Sequence, residues 1–307
     1  MKRILSLLLM LVLLPSAVLA EGPAMDKATW LSPYQYYYQQ LPETHKAAWE
    51  HDVANTLSYP EYVAAEYDAR YRALAKMIYM DNPRLFWVDW IDDYGRLQYL
   101  VKNPELFNQP MQIENGLTLA DLQKNFLEAI PQAVAAIEKK LPKKANATKI
   151  VTAIHDWLCE NNTYNNEQVS TNKGAKDPVA FGFLASHSAY SAIIPGDEYE
   201  PVCEGYALAF KLLCDEFGIE SICVSGTLNG VRHMWNLVNL GEGKWYLTDV
   251  TNDDRYDGKP YFLLLNSKKA AKNDFIPDPY LGSGVKPENG YAAEEGAQFL
   301  FPEIAAK

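Results

Sequence analysis

Cys203, His233 and Asp249 are the residues of this chain whose types and order could carry out a reaction. A cysteine attacks a carbonyl carbon as its thiolate. A histidine takes the thiol proton and later hands it to a leaving group. A carboxylate beside the ring fixes its tautomer and stabilises the imidazolium. Nucleophile, base and orienter together amount to acyl transfer through a thioester. The order alone is weak, because any chain with these residue types offers such combinations. The local structure has to bring the three together.

The surrounding sequence predicts that it does. Cys203 stands immediately before a helical stretch, Glu204 to Phe217, which Gly218 closes at the C′ position. The N-terminus of a helix favours a thiolate through its dipole and free N–H groups. Three strand-like runs follow: Ser221 to Gly226, His233 to Leu240 and Lys244 to Val250. Gly241-Glu242-Gly243 turns the last two into a hairpin. His233 begins one arm and Asp249 ends the other, so antiparallel pairing sets them within about a pair or two of each other. Tyr261 to Leu265 reads as a further strand. One helix followed by short antiparallel strands is an α+β pattern.

The segments VCEGYALAFKLLCDEFGIESICVSG and RHMWNLVNLGEGKWYLTDVTNDD resemble the transglutaminase-like cysteine enzyme superfamily, its bacterial secreted members in particular. The shared features are Cys-x-Gly-Tyr-Ala on the helix, Gly-Ile before the first strand, His-x-Trp-Asn on the second and Trp-Tyr-x-x-Asp-x-Thr on the third. The likeness spans residues 148 to 268. It implies a papain-like, transglutaminase-like core, with a nucleophile helix packed on an antiparallel sheet, and thiol chemistry on amides. By motif position it makes Cys203 the nucleophile, His233 the base and Asp249 the orienter. Such proteins often supply an aromatic oxyanion donor from upstream of the nucleophile. Tyr164 is the candidate here, beside the Cys203 N–H, and a packed tyrosine is the competing reading. Trp235 and His187 are candidates for the substrate cleft. Asn252 stands where many relatives carry Trp, which changes a wall contact and leaves the triad untouched.

Upstream, residues 21–145 read as a mainly helical N-terminal region, and residues 146–307 as the transglutaminase-like domain. Trp49, Val53 and Leu57 mark one helical stripe. Val63, Tyr67, Tyr71, Leu74 and Ile78 mark a second. Leu119, Leu122, Phe126, Ile130, Val134 and Ile137 mark a third, which Pro142 to Asn146 ends. Trp87 and Trp90 lie in a hairpin-like stretch, 85 to 101, and read as packing before ligand platform. Lys2 and Arg3 precede an apolar run to Ala20, with Val18 and Ala20 at a small-residue cleavage site. Residues 1–20 therefore read as a signal peptide. The mature protein is expected to be secreted or periplasmic, without a stable membrane span.

The chain has 307 residues, is 48% hydrophobic and carries a formal net charge of −11. That composition builds a core and argues against nucleic acid as a partner. Four cysteines are too few for a disulfide scaffold. Cys203 and Cys214 share a helix roughly 16 Å apart and cannot bridge. Pairing among Cys159, Cys214 and Cys223 stays open. His155, on an apolar helix face, reads as structural. Asp253, Asp254 and Asp257 read as a solvated turn rather than a calcium loop. No cofactor and no metal are expected. The expected partner is a peptide or protein amide, with cell-wall peptide suggested by location alone. Hydrolysis is favoured over amine transfer. The alternative is a catalytically silent binding or scaffolding module at the cell envelope.

Overall fold

Hydrophobic stripes become buried helix faces in the computed structural model, which describes residues 27–57, 76–87, 119–169, 181–194, 199–278 and 299–307. The N-terminal elements are α1 (Lys27–Trp30), α2 (Tyr36–Gln40) and α3 (Glu43–Leu57). Trp49, Val53 and Leu57 point α3 into the core. Residues 76–81 are helical, and Met77 to Met80 are buried. Leu85, Phe86 and Trp87 are fully buried, so Trp87 is a core residue and no platform. Residues 1–26, most of the second expected stripe, Trp90 and the rest of the expected hairpin lie outside the described residues.

α4 (Leu119–Glu138) runs through Pro131 and buries Leu122, Phe126, Ile130 and Ile137. The expected break follows it. Asn146 then starts α5 (Ala147–Asn161), its side chain accepting from the Lys149 N–H at 3.1 Å. α6 (Phe181–Ser186) and α7 (Ala189–Ile193) lead to α8 (Cys203–Glu216), which is buried from Gly205 to Cys214. Gly218 ends α8 at φ +68°. The Ile219 N–H bonds the Cys214 carbonyl at 2.9 Å and the Gly218 N–H bonds that of Asp215 at 3.0 Å. Those two bonds are a Schellman closure, which needs the left-handed residue that glycine supplies.

A four-stranded antiparallel sheet packs on α8 in the order β3-β2-β1-β4. Its strands are β1 (Ser221–Leu228), β2 (Val231–Asn239), β3 (Trp245–Thr248) and β4 (Phe275–Pro277). The β2–β3 ladder ends at the pair Asn236 and Thr248. The expected strand at 261–265 does not form; only Leu265 bridges Leu247. The reason is local. The Asp253 carboxylate takes the Phe262 N–H at 2.9 Å, Thr248 Oγ1 takes that of Leu264 at 3.3 Å, and Leu264 turns at φ +52°. Those donors are spent on side chains before a ladder can use them. The fourth strand instead comes from β4, on the far side of β1.

The N-terminal elements are bound into the same core cluster as α8 and the sheet. Lys211, on the buried face of α8, donates to both Asp215 oxygens, to Ser32 Oγ and to the Tyr34 carbonyl. The Tyr37 hydroxyl donates to the Cys223 carbonyl of β1 at 2.6 Å. Ion pairs join Lys76 to Glu204 and Arg84 to Glu216. The last segment returns to the sheet. Phe299 and Phe301 pack on Tyr37, and Ile304 bridges Trp245 along the outer edge of β3. A covered edge offers no free strand template there.

Candidate active site

Cys203 opens α8 as its first residue and is a half-buried free thiol. The turn between α6 and α7 seats it. The Val202 N–H bonds the Ser186 carbonyl at 2.9 Å. A Cβ on Gly205 would come within 2.7 Å of the Ser186 oxygen and 3.0 Å of the Ser188 oxygen. Only glycine lets the helix start sit this close to that turn.

His233 lies on β2 and Asp249 directly follows β3. They meet just beyond the last ladder pair, with His233 Nε2 2.8 Å from Asp249 Oδ2. Asp249 is 1% exposed and also caps α9 (Val250–Asp254), Oδ1 accepting from the Asn252 N–H at 3.2 Å. One carboxylate thus starts a helix and holds a ring. Cys203 is near enough to His233 to favour the charged form of its ring. Burial pulls the His233 pKa down. The charge and hydrogen bond of Asp249, with Cys203 adding, overcome this and raise it to about 10. The structure thus brings the three sequence-predicted residues near one another, with His233 and Asp249 in direct contact.

Tyr164 follows α5 and lies close enough to Cys203 to feel its charge. Its backbone N–H donates to Asp254 Oδ2 at 3.2 Å, and the Arg255 guanidinium sits 4.3 Å from its ring centroid. Burial pushes its phenol up to about 12, with Cys203 adding and Arg255 opposing. The hydroxyl thus keeps its proton at neutral pH and can donate it. Tyr164 borders an open cleft of about 660 Å³, walled in part by Cys159, Asn162, Asp254 and Arg255.

Trp235 is only 2% exposed. It backs His233, with ring centroids 6.2 Å apart and planes 23° apart, and packs edge-on against Phe275. It supports the ring from behind and presents no open wall. His187 sits in the turn that seats α8. Its Nδ1 donates to the Phe183 carbonyl at 2.8 Å, and its ring stacks on Phe183. Its own carbonyl accepts from the Tyr79 hydroxyl.

Sequence reasoning noticed Asn252 without giving it a role. Its Nδ2 lies 2.5 Å from Asp249 Oδ2 and 3.4 Å from His233 Nε2. The available signal was its offset, three residues after an Asp N-cap, where side chains reach back to the cap. The reading of Asp253 and Asp254 as a solvated turn is corrected. Asp253 is buried and holds His155 Nε2 at 3.0 Å, and Asp254 accepts from the Tyr206 hydroxyl at 2.8 Å. These carboxylates fasten α9 to α5 and α8.

His155 also has Cys159 Sγ 3.9 Å from its Nε2, a second grouping of Cys, His and Asp. It differs from the first. Its Nδ1 faces Asp156 at 2.9 Å, so both ring nitrogens meet carboxylates. Burial lowers the His155 pKa, but the bond to Asp253, with smaller help from Cys159 and Asp156, raises it to about 10. A ring protonated on both sides cannot take a thiol proton. Burial also pushes the Cys159 thiol up. This group is structural, as expected for His155. All four cysteines are free thiols. Among the described residues no group of His, Cys, Asp and Glu could hold a metal ion, and no helix is long and apolar enough to cross a membrane.

No curated protein matches the sequence. A solved structure described as "Crystal structure of a TGase" is similar at 17% identity over 52% of this chain and 38% of its own length, with a TM-score of 0.37. Residues 135–250 match the family described as Transglutaminase-like superfamily, a segment that runs from the end of α4 through α8 to the residue after Asp249. The chain therefore carries a transglutaminase-like α+β domain across those residues.

Proposed function

We propose that the protein is a thiol enzyme that cleaves or transfers amide acyl groups, with Cys203 as nucleophile, His233 as acid and base, and Asp249 as orienter. The observation that carries the reading is the His233 ring held by the buried Asp249 carboxylate at 2.8 Å, with Cys203 near enough to favour the ring's charge. The Cys203 thiolate attacks the amide carbon and a C–S bond forms. The Cys203 backbone N–H, at a helix start, and the Tyr164 hydroxyl receive the oxyanion. His233 gives its proton to the leaving nitrogen, the C–N bond breaks and a thioester remains. A water then attacks with His233 taking its proton, the C–S bond breaks, and an acid leaves. An amine in place of water would give a new amide. Hydrolysis is favoured because water is abundant.

The substrate is a peptide or protein amide. The apolar N-terminal segment ending at Ala20 supports export, and a cell-wall peptide then fits the location. The rival, a silent binding module, is disfavoured by the presence of all three side chains within reach of one another.

Alkylation of Cys203 by iodoacetamide, followed against pH by peptide mass spectrometry, tests the proposal. Fast alkylation well below pH about 8.5, where an ordinary thiol slows, and its loss in His233→Ala, is the expected result. An ordinary thiol curve unaffected by His233→Ala would refute the enzyme reading and favour the silent module.

A further inference from the structure

We infer that Asn252 is a positioning residue of this site: its amide shares Asp249 Oδ2 with the His233 ring and limits how tightly that oxygen grips the ring's proton. The inference rests on the thiol-enzyme reading above. His233 Nε2 stands 2.8 Å from Oδ2, Asn252 Nδ2 stands 2.5 Å from it, and the two nitrogens are 3.4 Å apart. A carboxylate only accepts, so the nitrogen of the Asn252 amide must face it. Two donors converge on one oxygen.

A buried carboxylate keeps its charge only if donors surround it. Asn252 gives Asp249 two N–H groups, the side chain to Oδ2 and the backbone to Oδ1, and His233 gives a third. Charge that Oδ2 commits to Asn252 is not available to stabilise the imidazolium. This matters because His233 has to release its proton to the leaving amine. An orienter that held the proton too firmly would slow that step. The other groups around the ring act differently. Cys203 approaches from α8, Trp235 lies behind the ring, and Tyr164 stands near Cys203. Asp253, next on α9, is turned to His155 and the Phe262 N–H. Among the described residues, His233 and Asn252 are the side-chain donors to Oδ2.

The test is the titration midpoint of the His233 ring, read by nuclear magnetic resonance of ¹⁵N-labelled imidazole in a Cys203→Ala background. Removing the thiol takes away the Cys203 contribution, so the midpoint reports the contact with Asp249. Asn252→Ala should raise the midpoint by about half to one pH unit, as expected when part of a charge-assisted hydrogen bond is reassigned. Asn252→Asp should raise it further, since a second carboxylate favours the imidazolium. With Cys203 intact, both variants should slow thioester formation about 3–10-fold at neutral pH. A midpoint unmoved or lowered would overturn the inference. Asn252→Asp serves alone should Asn252→Ala fail to fold. A ring that titrates as a free histidine in the Cys203→Ala protein, with alkylation of Cys203 indifferent to His233→Ala in the intact chain, would overturn the thiol-enzyme reading and this inference with it. That pattern differs from a raised but Asn252-independent midpoint, which sinks the inference alone.

Discussion

Lys211 offers a sharp test of how the N-terminal elements are joined to α8. Its side chain is 1% exposed, on the face of α8 turned toward Ser32 and Tyr34, and pairs with Asp215 at 2.9 Å. Lys211→Met keeps the aliphatic stem and removes the charge. Asp215, whose side chain is 10% exposed, then loses its partner. Breaking a buried pair from one side costs about 3–5 kcal/mol. The lost bonds to Ser32 Oγ and the Tyr34 carbonyl add little, because Ser32 Oγ also donates to that carbonyl and accepts from the Tyr34 N–H. Arg84 lies near enough to Asp215 to favour its charge, which keeps the expected cost at the lower end.

The cost should also depend on pH. Burial already raises the Asp215 pKa, and Lys211 holds it down. Without Lys211 it rises further, so the folded state binds more protons than the unfolded state above the ordinary carboxylate range. Stability of the variant then falls as pH rises. Urea unfolding followed by tryptophan fluorescence and circular dichroism, at pH 5 and pH 8, reads this directly. Lys211→Met should lose about 3 kcal/mol or more at pH 8 and less at pH 5. Lys211→Met combined with Asp215→Leu should recover most of the loss, because an apolar replacement of the whole pair leaves no orphaned charge. A loss below about 1 kcal/mol, equal at both pH values, would refute the claim that this pair is a buried joint.

Other outcomes follow from the same geometry. Tyr164→Phe should slow amide turnover by about 10²-fold or more if its hydroxyl serves the oxyanion, while alkylation of Cys203 stays fast; equal loss of both would make it a packing residue. His155, with its pKa raised to about 10 in the folded state, contributes stability present below its unfolded value of 6.5 and lost as pH rises through about 10. His155→Gln should therefore lower the melting temperature at pH 7 and flatten its fall toward pH 10, and a parallel curve would contradict this. Gly226→Ala would set a Cβ 2.2 Å from the Ile276 carbonyl oxygen and 2.8 Å from the Trp235 ring. It should unpair β4 and loosen His233, read as lower stability and slower Cys203 alkylation; an unchanged protein would show that β4 does not support the ring.

Much of the site was legible because it is coded locally. A glycine two residues after Cys203, a C′ glycine at 218 and a Gly-Glu-Gly hairpin each fix one piece of backbone. The hairpin then brings His233 and Asp249 together without long-range information. What escaped the reading depends on contacts far apart in sequence. The run 261–265 has strand composition, but Asp253 and Thr248 take its N–H groups, and no propensity argument sees a distant side-chain acceptor. Asp253 and Asp254 looked solvated because acidic residues in a turn usually are. Their partners, His155, Tyr206 and the Tyr164 N–H, come from α5, α8 and the loop between them. Trp235 looked like cleft wall by motif, yet Phe275 of the short β4 buries it.

Most of these misses converge on one place, residues 249–255. Asp249 holds His233, Asn252 holds Asp249, Asp253 holds His155, Asp254 holds the Tyr164 backbone and Tyr206, and Arg255 covers the Tyr164 ring. Five residues are too few for a helix to be stable alone. α9 persists because Asn252, Asp253 and Asp254 are each tied to a different neighbour. The proposed orienter and the proposed oxyanion donor are therefore set by the same turn of backbone. A shift of α9 would move Asp249 and Tyr164 together. That coupling accounts for a dense set of buried carboxylates in a segment where isolated ones would be costly. Their charges are met by donors that the site needs held still.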